Sequence, residues 1–386
     1  MRFGLAWLGA IALCALAATA WAGPYTDSAH GDATIGVLRT SVTQYTRGHC
    51  AHCHEQHSSI GGTEPSPTGG PDPYLLYETN HVSQTENVCF TCHTGVGGNQ
   101  VGGISINRSY TYNFGGDTSP GSYDTDIAEA FSHTAAGSSH HLDSIVSQVL
   151  GKTMYDADNN PWSLPADINP CAACHNPHLV KRNYPVSIVG GLLGTAVTRP
   201  SDPDNLFGDD ESERASHEGD YHAPYWYNRT DSYEPANNNI QDGSNLPDYN
   251  RLCTDCHNDY NTIYSENPRL PNGPRNLRKL IWTDTTGSVT ADSHGEVAGT
   301  PSKLQPPYSS VGSNLTLGCL DCHEPHGTPY NIYLLRSSVN GKTVTVSEET
   351  DAAWLSFCQS SCHGKRHDTK LGCPNCHYHG AQRGGF

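Results

Sequence analysis

The sequence predicts a chain of mostly irregular coil with short α-helices and little β structure, built round a core that its side chains do not supply. Three observations predict this. Only 35% of the 386 residues are apolar, while 39 are Gly and 25 are Pro. Such a chain buries too little apolar side-chain area to hold its length together unaided. The cysteines fall in close pairs, and loops rich in Gly, Pro and Asn lie between those pairs, so regular structure is expected mainly as short helices carrying the pairs.

The chain opens with MRFGLAWLGAIALCALAATAWA. Arg2 gives a positive start, an apolar run follows, and Ala20-Trp21-Ala22 forms an A-x-A cleavage site. Residues 1–22 therefore read as a secretory signal peptide and not as a membrane span. Leu13 stands before Cys14, where lipid attachment needs a small residue, so Cys14 is not read as an anchor. No later stretch is apolar enough to cross a bilayer. The expected mature protein is one exported unit, residues 23–386. The full chain's formal net charge of −17 disfavours a nucleic-acid partner, which would want clustered Lys and Arg. The acidity reads as a solvated surface.

Beyond Cys14, fourteen cysteines form seven pairs, each followed at once by His. They are CAHCH (Cys50, Cys53, His54), CFTCH (Cys89, Cys92, His93) and CAACH (Cys171, Cys174, His175). CTDCH (Cys253, Cys256, His257) and CLDCH (Cys319, Cys322, His323) follow. The last two are CQSSCH (Cys358, Cys362, His363) and CPNCH (Cys373, Cys376, His377). C-x-x-C-H is the attachment site of c-type haem: the thiols add to the haem vinyl groups and the His becomes the proximal iron ligand. Paired cysteines can also hold zinc through four thiolates, but zinc does not require a His after every pair. A disulfide scaffold leaves the trailing His unexplained. The composition sets the chance of seven such His at about 10⁻⁹, on the order expected for a motif rather than an accident. CQSSCH carries one extra residue between its cysteines, and attachment there remains chemically feasible. The reading is a haem-cored multihaem c-type cytochrome with seven covalently bound haems, whose flat apolar bodies take the place of the missing core.

The sixth iron ligand separates electron transfer from substrate chemistry. Met154 is the only methionine after Met1, which leaves His/Met ligation almost no donors. Fifteen histidines lie outside the motifs, enough for bis-His ligation throughout, with low-spin iron and low potentials. His57, His178 and His326 each stand three residues after a motif His. That spacing puts two rings on neighbouring helical faces, so the second cannot reach the far side of its own haem and would serve another. His81, His140 or His141, His294, His367 and His379 are the further distal candidates. His30, His133, His217 and His222 give weaker signals. His49 and His52 are expected to touch propionates or solvent. Asp156, Asp158 and Asn160 have calcium-loop spacing without its Gly or terminal Glu, and read as a turn.

In the order and context of these motifs, the chain resembles the extracellular multihaem cytochromes of metal-reducing bacteria that polymerise into filaments (cytochrome nanowires). The resemblance spans residues 47–330. It runs from CHEQHSSIGG through PYLLYETNH, CFTCH, SSHHL, CAACHNPHLVKR and LCTDCHNDY to a lone DSHGE ahead of CLDCHEPHG. It implies that His57 ligates a haem of the next subunit, the one attached at Cys319, Cys322 and His323. A homopolymer would then be stitched by an intersubunit His–haem bond. It also implies an extracellular or cell-surface location, with the periplasm second, and other redox proteins or external electron acceptors as partners. Residues 331–386 form a C-terminal two-haem extension where the family has one haem, and residues 23–49, with His30, precede the first motif.

Two function classes compete. A conduit of closely stacked bis-His haems is not an enzyme and turns nothing over; it could be a filament or a discrete periplasmic shuttle. A multihaem reductase acting on nitrite, hydroxylamine or a sulfur oxyanion keeps one iron open, often with Lys in place of a motif His. Here all seven motifs end in His, which favours the conduit.

Overall fold

The computed structural model describes residues 23–55 (without 27, 29, 35 and 40), 72–94, 127–178 (without 134–136 and 157), 250–261 (without 259), 279–283, 289–295 and 319–361 (without 340, 341 and 349). Among these, helices are short: Gly23–Thr26, Ile127–Ser132, Leu142–Gln148, Asn250–Thr254, Cys319–Cys322 and Asp351–Ser361. Strands occur only as antiparallel pairs. The longest is Val289–Gly295, which pairs with Lys279–Thr283 and carries His294. No described helix is long and apolar enough to cross a membrane.

Two small apolar clusters share one helix. Leu142, Ile145, Val146 and Val149 recur at i, i+3, i+4 and i+7, so Leu142–Gln148 presents one apolar stripe. Leu142 packs with Phe90 and Phe131. Val149 packs with Leu150, Met154, Trp162, Leu164 and Ala173. The helix ends at Gln148 with Val149 as C-cap, and the chain turns away at Gly151, whose φ of +69° suits a glycine. Both clusters abut cysteine motifs: Cys171 borders the first and Cys256 the second. Met154 is thus a core residue, 4% exposed.

Local turn chemistry sets the joints. Met154–Tyr155 and Pro161–Trp162 form a hairpin. In its turn, Asp156 Oδ1 accepts from the Asp158 and Asn160 amides at 2.9 and 2.7 Å, and Asn159 takes φ +68°. Asn258 and Asn261 then tie the CTDCH region to this hairpin. Asn258 Nδ2 donates to the Tyr155 carbonyl at 2.8 Å, and the Tyr155 amide donates to Asn261 Oδ1 at 2.9 Å. A second joint pairs Ser138–Ser139 with Gly327–Thr328. Fully buried Asn331 anchors it. Its Nδ2 donates to the Arg336 and Val344 carbonyls, and its Oδ1 accepts from the Val346 amide at 2.7 Å. Around His140 stand the Pro325 carbonyl, just after CLDCH, and the His257 ring of CTDCH.

Candidate functional site

The five described C-x-x-C-H motifs fold alike. In CAHCH, CFTCH, CAACH and CTDCH the first Cys carbonyl accepts from the second Cys amide at 3.0–3.2 Å and from the His amide at 2.8–2.9 Å. CLDCH forms the His323-to-Cys319 bond at 3.0 Å. One tight helical turn therefore carries each motif, and residues i, i+3 and i+4 share its face. Side chains start three of these turns: His49 Nδ1, Asn87 Oδ1 and Asn169 Oδ1 accept from the amides of Ala51, Cys89 and Cys171.

The non-motif histidines meet the motif rings in pairs. His178 lies with its ring centre 6.1 Å from His54, with planes 13° apart. His326 stands 6.1 Å from His175 at 20°. His30 stands 6.1 Å from His93 at 47°, and His140 stands 6.1 Å from His257 at 33°. Each pair joins one motif His to a His distant in sequence.

The separation has a physical meaning. A His nitrogen sits about 2.0 Å from a metal it ligates and about 1.1 Å from its ring centre, so two imidazoles on opposite sides of one metal have centres about 6.2 Å apart. The ring nitrogens are oriented for such a role. His54 and His323 direct Nδ1 to the carbonyls of Tyr74 and Tyr333, both at 2.8 Å. His30 and His140 direct Nδ1 to the carbonyls of Pro177 at 2.9 Å and Pro325 at 2.6 Å. An Nδ1–H held this way leaves Nε2 as the lone-pair donor. Burial, and then neighbouring His93, holds His30 down at about 4; burial, then His140, does the same for His257. Burial also lowers His140 and His323. Neutral imidazole is the form that binds metal. Among the described residues no three His, Cys, Asp or Glu side chains converge on a metal-ion position; the rings come in twos, the number an axially ligated haem iron takes. These residues fit the group the motifs imply.

The motifs also neighbour one another in series. Cys53 interacts with Cys92 and Cys89, Cys89 with Cys171, and Cys174 with Cys256. His140, beside His257, interacts with His326 and His323. Burial pushes the Cys53 thiol up to about 12. No disulfide joins any two of the described cysteines.

Other candidates stand apart. His81 faces Asp143, with Nε2 3.5 Å from Oδ1, and it is His30, a weaker candidate by sequence, that stands beside His93. His141 is exposed and begins the Leu142–Gln148 helix without a side-chain cap bond. His49 stacks on Tyr45 with centres 4.6 Å apart. His52 differs from the expectation of propionate or solvent contact. It is 1% exposed, its Nδ1 accepts from the Arg39 amide at 3.2 Å, and its Nε2 meets the Thr46 carbonyl at 3.0 Å. Both ring nitrogens are used in packing. Residues 1–22, His57, His217, His222, Cys362, His363, His367, Cys373, Cys376, His377 and His379 lie outside the described residues, as does the His294 side chain.

A repeat that spacing alone did not expose links CAHCHE with CLDCHE. The segments Tyr74-Leu75-Leu76 and Tyr333-Leu334-Leu335 return to their motifs identically. Each Tyr carbonyl meets the motif His Nδ1. Each following Leu carbonyl accepts from the Glu55 or Glu324 amide at 2.7 Å. Leu76 bridges His54, and Leu335 bridges His323. Leu75 and Leu334 take φ of +56° and +59°. The recurring Y-L-L was the available signal.

No family model, curated protein or solved structure matches the chain.

Proposed function

We propose that the protein is a multihaem c-type cytochrome that conducts electrons along a series of bis-His haems, without turning over a substrate. The observation that carries this reading is the set of four His–His pairs at 6.1 Å, each joining a motif His to a His from elsewhere. The cysteines of each motif would hold one haem. His54 with His178, His93 with His30, His175 with His326 and His257 with His140 would be its axial ligands. Bound haem supplies the redox-active iron and the flat conjugated surface between which electrons pass. The chain's own part is to fix the rings: backbone carbonyls orient Nδ1, and strand pairing at Ser138–Ser139 with Gly327–Thr328 sets His140 beside the CLDCH region. The serial contacts among the motifs support transfer from one to the next.

Production in a host that attaches c-type haem tests this directly. The expected result is a mass increased by seven haems and a low-spin ferric spectrum throughout. Absence of covalent haem, or a high-spin ferric signal from the intact oxidised protein, overturns it; the latter would favour a reductase with an open iron.

The polymer reading rests on the resemblance and gains support from the repeat. His57 stands in CHEQH where His326 stands in CHEPH, and His326 lies beside the ring of a different motif. We expect His57→Ala to retain seven haems and lose filaments in electron micrographs of material sheared from cells. Unchanged filaments would sink the intersubunit bond.

A further inference from the structure

His326 differs from the other anchored rings. His30, His54, His140 and His323 each direct Nδ1 at a backbone carbonyl. His326 Nδ1 instead lies 3.3 Å from a carboxylate oxygen, Oε1 of Glu324, whose side chain is 0% exposed, a close approach that does not close a hydrogen bond. Phe131 meets the His326 ring edge-on at 5.6 Å, and the Glu324 amide is held by the Leu334 carbonyl, so both partners are fixed. The repeat sharpens the contrast, because its counterpart Glu55 turns to Arg39 at 3.4 Å.

We infer that Glu324 is a positioning residue that lowers the reduction potential at the His175/His326 pair relative to its neighbours in the series. This rests on the reading that these two rings ligate one haem. The other four rings face a carbonyl dipole, whereas His326 faces a carboxylate, which when ionised carries a full negative charge. A negative charge this close to a ligand ring stabilises the more positive ferric state over the ferrous one through space. Full burial denies solvent the chance to screen that charge. The pair lies between the His93 and His257 sites by the cysteine contacts, so the series carries an uphill step at its middle.

The test is a potentiometric titration of the haem-loaded full chain and two variants, with masses recorded. Glu324→Gln keeps the shape and an acceptor oxygen but removes the charge. It should carry seven haems, raise one midpoint potential, leave the others in place and shift the low-spin EPR signal of one haem. Glu324→Asp keeps the charge at a longer reach and should move the same potential less. Superimposable titrations for wild type and Glu324→Gln overturn the inference. So does an Asp variant that shifts as far as the Gln variant, which would mark a packing role. If Glu324→Gln does not fold, the wild type still decides: seven overlapping potentials, with no haem resolved below the rest, overturn it. A protein without covalent haem fails the parent reading instead, and its mass tells the two failures apart.

Discussion

Replacing His52 by Ala separates a packing histidine from the ligand candidates that surround it. The ring is 1% exposed and joins the Arg39 amide to the Thr46 carbonyl across the segment before the first motif. Its removal orphans the buried Arg39 N–H, at about 1–3 kcal/mol. Thr46 is exposed, so its carbonyl can recover a water and costs little. The lost ring leaves a cavity worth about 1 kcal/mol more after partial collapse. A loss of about 2–4 kcal/mol is expected. Denaturant unfolding followed by circular dichroism should show a lower midpoint with an unchanged slope. Haem count and low-spin spectrum should match wild type. A loss below about 1 kcal/mol would refute the packing argument, and a haem turned high-spin would show that His52 had been a ligand.

His30→Ala should keep all seven haems attached but turn one high-spin, whereas His81→Ala, whose Nε2 faces Asp143, should leave every haem low-spin; electronic absorption and EPR read both, and the reverse pattern would overturn the assignment at His93. Gly327→Ala should cost about 2–3 kcal/mol in denaturant unfolding, since a Cβ there would meet the Ala130 carbonyl at 2.0 Å and the Ser138 carbonyl at 3.1 Å. A variant as stable as wild type would refute the close approach of that strand.

The C-x-x-C-H motifs were legible because each described one is a contiguous turn. Cys, Cys and His at i, i+3 and i+4 share a face whatever surrounds them, and in all five described motifs the His amide donates to the first Cys carbonyl. The helix at Leu142 was equally local in origin, since its stripe is written at helical spacing. The i, i+3 argument for His178 and His326 was also local, and it said only which ring each could not reach. Nearness along the chain did not say where His81 turns. The stretch between it and CFTCH folds back as the His81–Ser83/Glu86–Asn87 hairpin, and His81 turns toward Asp143 on the Leu142–Gln148 helix.

From the sequence alone come the expected export signal, the seven Cys-pair-plus-His motifs and the supply of spare histidines, because such signals are written in short contiguous segments. Tertiary structure decided which His meets which motif. His30 reaches His93, His140 reaches His257, and His52 reaches none. Those meetings depend on joints distant in sequence, such as Ser139 paired with Gly327 and Asn261 bound to Tyr155. No local spacing encodes them. The same holds for the meeting of His326 with the buried Glu324.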